Sequence, residues 1–581
     1  MQSFEYLSLP GQNNHIRLLD LLPGNFEDSI TIRIRNVTLA IPNELESKRM
    51  DLDQLKESLP SGWRAYETIE GKFIFVDEGN GEPHWIHPNA DIDRSLYELP
   101  AFSPRVATPS YEALSYTWGS LDRPQKILVE NDDTLNAAMS ELFIYSNLDE
   151  ALRYLRYTDA IRTLWVDAIC INQKDEQERN EKVVKMADIY SYASRVIVWL
   201  GSTFANSQEA FSVLSHTGKQ CEFSSTFEVL GHPDATEKDW HSSMTELPYT
   251  EDDCFAIAEL LERPWFSRLW VVQDVQLANL QAVIKCGKDE MLWNEFSRAL
   301  HCLGQNKNIL PVLKSLIKAQ LFLLIPNTDL TFPNLIYQHW GKLCSDGRDR
   351  IYGLLGLAPV ELRQMIKLQY SESPGVVFRD AFLACVQYYQ RLEFLQFCYL
   401  MNHRAGIPTW VPELSSEKPD LSHLEHQFSA GYSQAFITIQ APNMLEVSGI
   451  ECHTVKSLSS LAPKESNLVL EHIRYYAPKL MAEVQGKSSN SVLEILARTL
   501  AVDGLRDRFL GRDYPTLERW MSDVERSILD FQDFLPETLA YFNEWCVVNL
   551  AGRPFFITED GTLGLGPPET EPGEWPSSYI S

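Results

Sequence analysis

The sequence predicts an α/β fold, a mostly parallel sheet flanked by helices, and three observations carry that prediction. "LWVDAICI" (164–171) and "RVIVWLG" (195–201) are nearly continuous apolar runs, as strands covered on both faces require. Between them, "DEQERNEKVVKMADIYSYA" puts Val183, Met186, Ala187 and Tyr190 on one helical stripe, so strand, helix and strand form a βαβ unit. A third segment, "YEALSYTWGS" (111–120), reads as another strand closed by a glycine turn.

The run 164–171 reads as strand over its whole length, with Asp167 inside it. Burial there demands a hydrogen-bond partner or a shifted pKa. In the helix, Glu178/Lys182 and Glu181/Lys185 are (i, i+4) pairs in the favourable order. Leu164 and Val196 are expected in neighbouring, like-directed strands joined by a right-handed crossover. Ligands of open α/β sheets bind beyond the carboxyl ends of the strands. Those ends are Trp118-Gly119-Ser120, Asn172-Gln173 and Gly201-Ser202, which makes them one candidate rim, with Asp167 just inside it. For Asn172 and Gln173 the alternative is loop closure and capping of the helix that begins near Asp175. "ERPWFSRLWVVQDVQLA" (262–278) reads as a helix with Pro264 in its first turn. Trp265, Leu269 and Val272 form its core stripe, and Ser267, Trp270 and Asp274 an adjoining one. "QAVIKCG" (281–287) reads as a further strand.

The chain is long enough, at 581 residues, for two to four domains. Its 80 acidic against 51 basic residues leave a net charge of −29, which repels phosphate backbones and anionic lipid. Neither nucleic acid nor membrane is therefore expected as a partner. The ten cysteines are scattered without a CxxC pair, so neither a zinc ribbon nor a disulfide framework is expected. "MQSFEYLSLPGQNN" lacks a basic n-region and a long apolar core, and "IKAQLFLLIP" is too short to span a bilayer, which together predict a soluble, cytoplasmic protein. Neither GxGxxG nor GxxxxGK[ST] occurs, and no cofactor is expected.

The blocks "YEALSYTWG", "LWVDAICINQKDEQERNEKVVKMADIY…ASRVIVWLG" and "RPWFSRLWVVQD", in this order, resemble the fungal heterokaryon incompatibility (HET) domain. "NLDEALRYLR" (147–156), "RDRIYGLLGLAP" (348–359), "IPTWVPEL" (407–414) and "GRPFFITEDGTLGLGPPETEPGE" (552–574) resemble its long-chain members. The resemblance implies a TIR-related sheet and a role in non-self recognition and programmed cell death, exercised through protein partners. Some TIR relatives hydrolyse NAD through a glutamate on a helix. The matching HET position usually reads Gln-Glu, and here it is Gln273-Asp274. Asp keeps the charge and shortens the reach by one methylene. On this second reading Asp274 is the catalytic carboxylate that stabilises oxocarbenium-like charge, and NAD is substrate rather than cofactor. Trp118 or Trp270 would then stack on a base.

Between "IRIRNVTL" (32–39) and Tyr111 lies a stretch that the HET pattern does not need. Its "LPSGWRAYETIEGKFIFVDEGNGEPHWIHP" (59–88) has Trp63 and Trp85 spaced 22 apart and resembles a WW domain. The expected form is a three-stranded sheet, "WRAYET", "KFIFVD" and "PHWIH", with Trp63 packed on Pro60 and Pro88 as a miniature core. The resemblance implies a groove for proline-rich peptide at Ile74, Val76, Glu78, Pro83 and Trp85. Ile74 replaces the family's tyrosine and Glu78 its histidine, so one aromatic wall is missing. This supports a third reading, a peptide adaptor, beside that of a spacer. His84 and His87 have no third ligand nearby, and no metal is expected.

The predicted organisation is 1–43 as the N-terminal part of the HET region, 44–107 as the insertion and 108–304 as the HET domain. A helical region (305–430) and a mixed α/β C-terminal region with a small β-containing part (431–581) follow. "RPFFITEDGTLGLG" reads as a hairpin turning at Asp560-Gly561. The "PPETEPGEWPSSYIS" after it suggests a truncation that leaves a sheet edge unpaired.

Overall fold

The structure, a computed structural model, describes residues 2–9, 14–41, 49–99, 106–119, 123–130, 139–226, 228–306, 308–325, 330–398, 407–414, 434–440, 443–448, 454–484, 488–502, 505, 515–534, 536–568 and 570–573. The chain divides into two compact units, Met1–Ala381 and Phe382–Ser581. The division falls inside the stretch read from sequence as one helical region. Among the described residues no helix is long and apolar enough to cross a membrane.

In the first unit β1 (Gln2–Ser3), β2 (His15–Leu21) and β3 (Thr31–Thr38) precede the insertion. The insertion contributes β4 (Trp63–Glu67), β5 (Phe73–Asp77) and β6 (Pro83–His84). Then come β7 (Glu112–Tyr116), β8 (Gln125–Glu130), β9 (Met139–Ile144), β10 (Arg162–Trp165) and β11 (Arg195–Trp199). After them are β12 (Cys221–Phe223), β13 (Val229–Gly231), β14 (Val283–Cys286) and β15 (Asp289–Leu292). Ten of these strands form one sheet in the order β1-β9-β8-β3-β2-β10-β7-β11-β14-β15.

The centre of the sheet, β10-β7-β11-β14, is parallel. Antiparallel neighbours flank it, β2 against β10 and β15 against β14, so the sheet as a whole is mixed around its parallel centre. Leu164 and Val196 are not in neighbouring strands either. β7 inserts between their strands, and Ala113 is the register partner of both Trp165 and Val196. The central position suits β7, whose Ala113, Leu114, Ser115 and Tyr116 are all buried. At its start Glu112 accepts from Arg162 on one neighbour and from Arg195 on the other.

Two elements end earlier than their apolar patterns suggest. The run 164–171 is strand only to Trp165, and Asp167–Cys170 is a helical turn. The backbone turns where the Asp167 side chain takes the Ala168 N–H at 2.7 Å, a local bond that competes with the strand ladder. The segment 262–278 is likewise broken. A 3₁₀ turn, Pro264–Ser267, and a helix, Val271–Gln276, are separated by Arg268, which is extended. Arg268 bridges to Leu343, and the Leu343 N–H donates to the Ser267 carbonyl at 2.6 Å.

The insertion forms the expected antiparallel sheet β4-β5-β6. Its buried centre is Leu55, Ala65, Phe73, Phe75 and Tyr97, however, and Trp63 lies at the margin with its ring 5.4 Å from that of His84. Helix Leu52–Glu57 and Tyr97, outside the WW-like stretch, complete a core that the stretch alone is too small to build. The sheet is docked on the β12-β13 hairpin. Thr68 bridges Ser224, Ile69 N–H donates to Phe223 O at 2.9 Å, and Ser225 N–H donates to Glu67 O at 2.7 Å. Beneath the contact Arg298 lies 2.5 Å from Glu222 and 3.4 Å from Glu70, all three buried, while Lys72 lies 2.9 Å from Glu70.

In the second unit β16 (Ile437–Gln440) and β17 (Met444–Val447) form a hairpin. β18 (Val455–Leu458), β19 (Phe555–Thr558) and β20 (Leu563–Leu565) form an antiparallel sheet with the expected turn at Asp560-Gly561. Gly561 has φ +82°, which favours glycine. β18 pairs the other side of β19, so β19 is central and, among the described residues, β18 and β20 are the edges. Helices Ser466–Glu483, Ser489–Leu500 and Leu517–Val524 enclose Ile473, Leu496 and Trp520 in a core shared with Phe555 and Ile557.

Arg298→Ala would leave Glu70 and Glu222 buried without their shared cation. The expected loss is about 3–5 kcal/mol of stability, read from urea denaturation. An unchanged midpoint would show that the insertion is held by backbone pairing alone.

Candidate functional site

The polar residues of the three motif blocks meet around β7. At its carboxyl end Trp118 Nε1 donates to Asp167 Oδ2 at 2.8 Å, joining the first block to the second. Gly119, at φ +83°, turns the chain there against Asn147. Asn147 donates to Thr117 O and accepts from Trp199 Nε1 at 3.2 Å, which ties the tip of β7 to that of β11. Ser120 lies outside the described residues.

The third block joins the first deeper in the fold. Trp265 Nε1 donates to Ser115 Oγ at 3.0 Å, and Ser115 Oγ donates to Asp274 Oδ2 at 2.6 Å. Asp274 is 5% exposed and points at the strand, not outward at a rim. Burial pushes its carboxyl up to about 7, against the Ser115 hydrogen bond, Arg268 and Tyr190. Burial likewise raises Asp167, opposed first by Arg268 and then by its Trp118 and Ala168 hydrogen bonds. The Arg268 guanidinium acts on both carboxylates and donates to Tyr116 O. The cluster therefore holds two inward carboxylates and one cation.

The second block's loop is anchored from below by a buried ion pair. Arg17 Nη1 and Nη2 reach the two Glu178 oxygens at 2.5 and 3.0 Å, and Nη1 also donates to Cys170 O at 3.3 Å. Glu178 thus turns inward instead of pairing along the helix, and Lys182 donates to His15 O at 2.6 Å. Glu178 Oε1 also accepts from Asn172 N–H at 2.8 Å. Asn172 Oδ1 takes the Lys174 N–H at 3.2 Å, closing the turn, while Asp175 is the N-cap. Gln173 Nε2 donates to Asp167 O at 3.0 Å.

Trp118, Gly119, Asp167 and Gln173 are thus brought together, with Asn172 closing the same loop. Trp270 is turned elsewhere, because its Nε1 donates to Asp349 Oδ2 at 3.1 Å and the Tyr370 hydroxyl holds the other oxygen at 2.6 Å. Sequence reasoning passed over Ser115, Arg268 and Arg17. The available signal was a polar residue flanked by apolar ones in three stretches, "ALSYTW", "WFSRLW" and "HIRLLDL".

On the insertion, Ile74 is fully buried and Val76 and Pro83 are half-buried and register partners. Trp85 meets the host chain. Its Nε1 donates to Asp234 at 3.3 Å, its ring meets that of His232 edge-on at 5.4 Å, and Lys72 Nζ lies 5.4 Å from its centroid. Glu78 is tied to Arg64. Much of the expected peptide groove is therefore engaged by the chain itself.

Residues 111–274 match the family model described as Heterokaryon incompatibility protein (HET), a span that runs from the residue before β7 to Asp274. Heterokaryon incompatibility protein 6, OR allele, of Neurospora crassa is 27% identical over 391 residues, covering 56% of this chain. The chain spans 56% of that relative's length. No solved structure matches.

A carboxyl raised in the fold favours the native state while it is protonated. That contribution is full below the ordinary carboxylate range and is lost as pH rises towards about 7. Asp274→Asn removes this dependence and leaves the Ser115 hydroxyl an acceptor. At pH 8 the variant is expected to be the more stable by up to about 4 kcal/mol, the gap closing below about pH 4, in urea titrations across pH. Parallel pH profiles for the two proteins would refute the inward, protonated carboxyl.

Proposed function

We propose that the chain acts in fungal non-self recognition, as an effector or recognition protein of heterokaryon incompatibility that triggers programmed cell death through cytoplasmic protein contacts. The observation that carries this reading is the coincidence of the HET match, 111–274, with the residues that knit β7 to its neighbours. In this arrangement the motif residues build a rigid framework on which surface loops can be presented. Such a framework suits recognition by contact.

The NAD-cleaving alternative has less support. A carboxylate that stabilises charge on a ribosyl carbon has to touch the substrate. Asp274 instead faces Ser115 and is 5% exposed, so this chemistry would require the segment from Arg268 to Gln276 to open. A proline-rich-peptide adaptor would likewise require Trp85 to leave Asp234 and His232.

Inducible expression of the full chain in a filamentous fungus separates these readings. Growth arrest that persists in Asp274→Asn with a steady NAD pool is expected. Indifference of the fungus to the wild-type chain would overturn the effector role. Arrest with falling NAD, both abolished in Asp274→Asn, would select hydrolysis instead.

A further inference from the structure

A cleft of about 390 Å³ lies between helix Glu176–Ser191, helices Asp349–Leu355 and Val360–Met365, and the segment that follows them. It is separate from the Asp167–Asp274 cluster and from the insertion, and its volume falls within the range of small-molecule sites. Val183, Leu355, Ile366 and Leu368 give it an aliphatic wall. Val184 stands at the same place 57% exposed, although the helix carrying it is otherwise charged on its outer face.

Its polar lining is unusual for this chain. Arg363 and Lys367 are both present, and neither side chain makes an ion pair or hydrogen bond among the described residues. Arg363 Nε and Asn180 Oδ1 are both shielded from solvent without a partner. The acid in the lining, Glu181, accepts from Gln177 at 3.2 Å, directly precedes Lys182 in sequence, and acts electrostatically on both Lys182 and Lys185. In a protein of net charge −29, two cations without acid partners beside an aliphatic wall form a locally positive, amphipathic cleft. A neutral apolar ligand would leave Arg363 desolvated, and a small inorganic anion would leave the wall wet. The chemistry that satisfies both is an anionic head on an apolar body.

We propose that this cleft binds a small organic carboxylate with an aliphatic body, its head on Arg363 and Lys367 and its chain along Val183, Ile366 and Leu368. This does not rest on the function proposed above. The site does touch the framework, because Gly356 in its wall donates to Gln273 Oε1 at 3.1 Å, beside Asp274. A Cβ at Gly356 would lie 2.3 Å from that oxygen, so the wall and the Gln273–Asp274 helix are packed without slack.

Calorimetric titration of the full chain with octanoate tests the proposal. Saturation at one site is expected, and neutral octanamide should bind about tenfold or more weakly. Arg363→Ala should lose a similar factor for octanoate. Leu368→Trp, which fills the cleft and leaves both cations in place, should abolish binding. Absence of saturation in the wild-type protein, equal binding of octanamide, or undiminished octanoate binding by either variant would overturn the proposal.

Discussion

The first unit depends on how β7 carries its polar side chains in the interior. Ser115 and Glu112 sit on a strand covered by neighbours on both sides, where an unpaired polar group costs several kcal/mol. Each is resolved by a partner from another part of the chain. Trp265 and Asp274 meet Ser115, and Arg162 and Arg195 meet Glu112. These bonds fix which strands flank β7 and which segment lies over it. The same side chains that look like chemistry in the sequence therefore specify the topology.

One device recurs through the unit. Acids are taken inside and held by arginine, with Glu178 on Arg17, Glu222 and Glu70 on Arg298, and Asp167 and Asp274 sharing the field of Arg268. Guanidinium suits this because its planar fork stays charged when buried and can serve several acceptors. Burial outweighs these cations at two of the acids and raises Glu222 and Asp274 to about 7, although Lys72 also pairs with Glu70 in the first cluster. The clusters are therefore more sensitive to pH than the surface, and one lies under the docked insertion while the other lies behind the motif blocks.

The parts of the fold that were legible in the sequence are those where one signal dominates. The central parallel strands, the insertion's three strands and the hairpin at Asp560-Gly561 follow from apolar runs and turn residues. Strand order was not legible, because an apolar run does not say which neighbour it will have. β7 could not be placed between β10 and β11 without knowing the partners of Glu112. The early end of β10 was hidden because Val166, Ile169 and Cys170 are buried either as strand or as helical turn. At the site, Trp118 and Asp167 were found through their position at strand ends. Ser115, Arg268 and Arg17 were missed because a polar residue within a largely apolar stretch gains meaning only with its partner. Trp85 stood at the expected position of a groove, but its contacts with His232 and Asp234, more than a hundred residues away, could not be foreseen.

The length of Asp274 links these points. The position is one where the resemblance to the HET family leads one to expect the longer acid, yet here the shorter side chain reaches Ser115 at 2.6 Å inside a buried site. Trp265 and Tyr190, both buried, bound the space around it. A further methylene would have to displace one of them or swing the carboxylate off the hydroxyl, and overpacking of this kind costs about 1–3 kcal/mol. The residue that departs from the family pattern is thus the one whose reach is set by a hydrogen bond to the central strand. That fit explains, without any reference to catalysis, why aspartate suits this position.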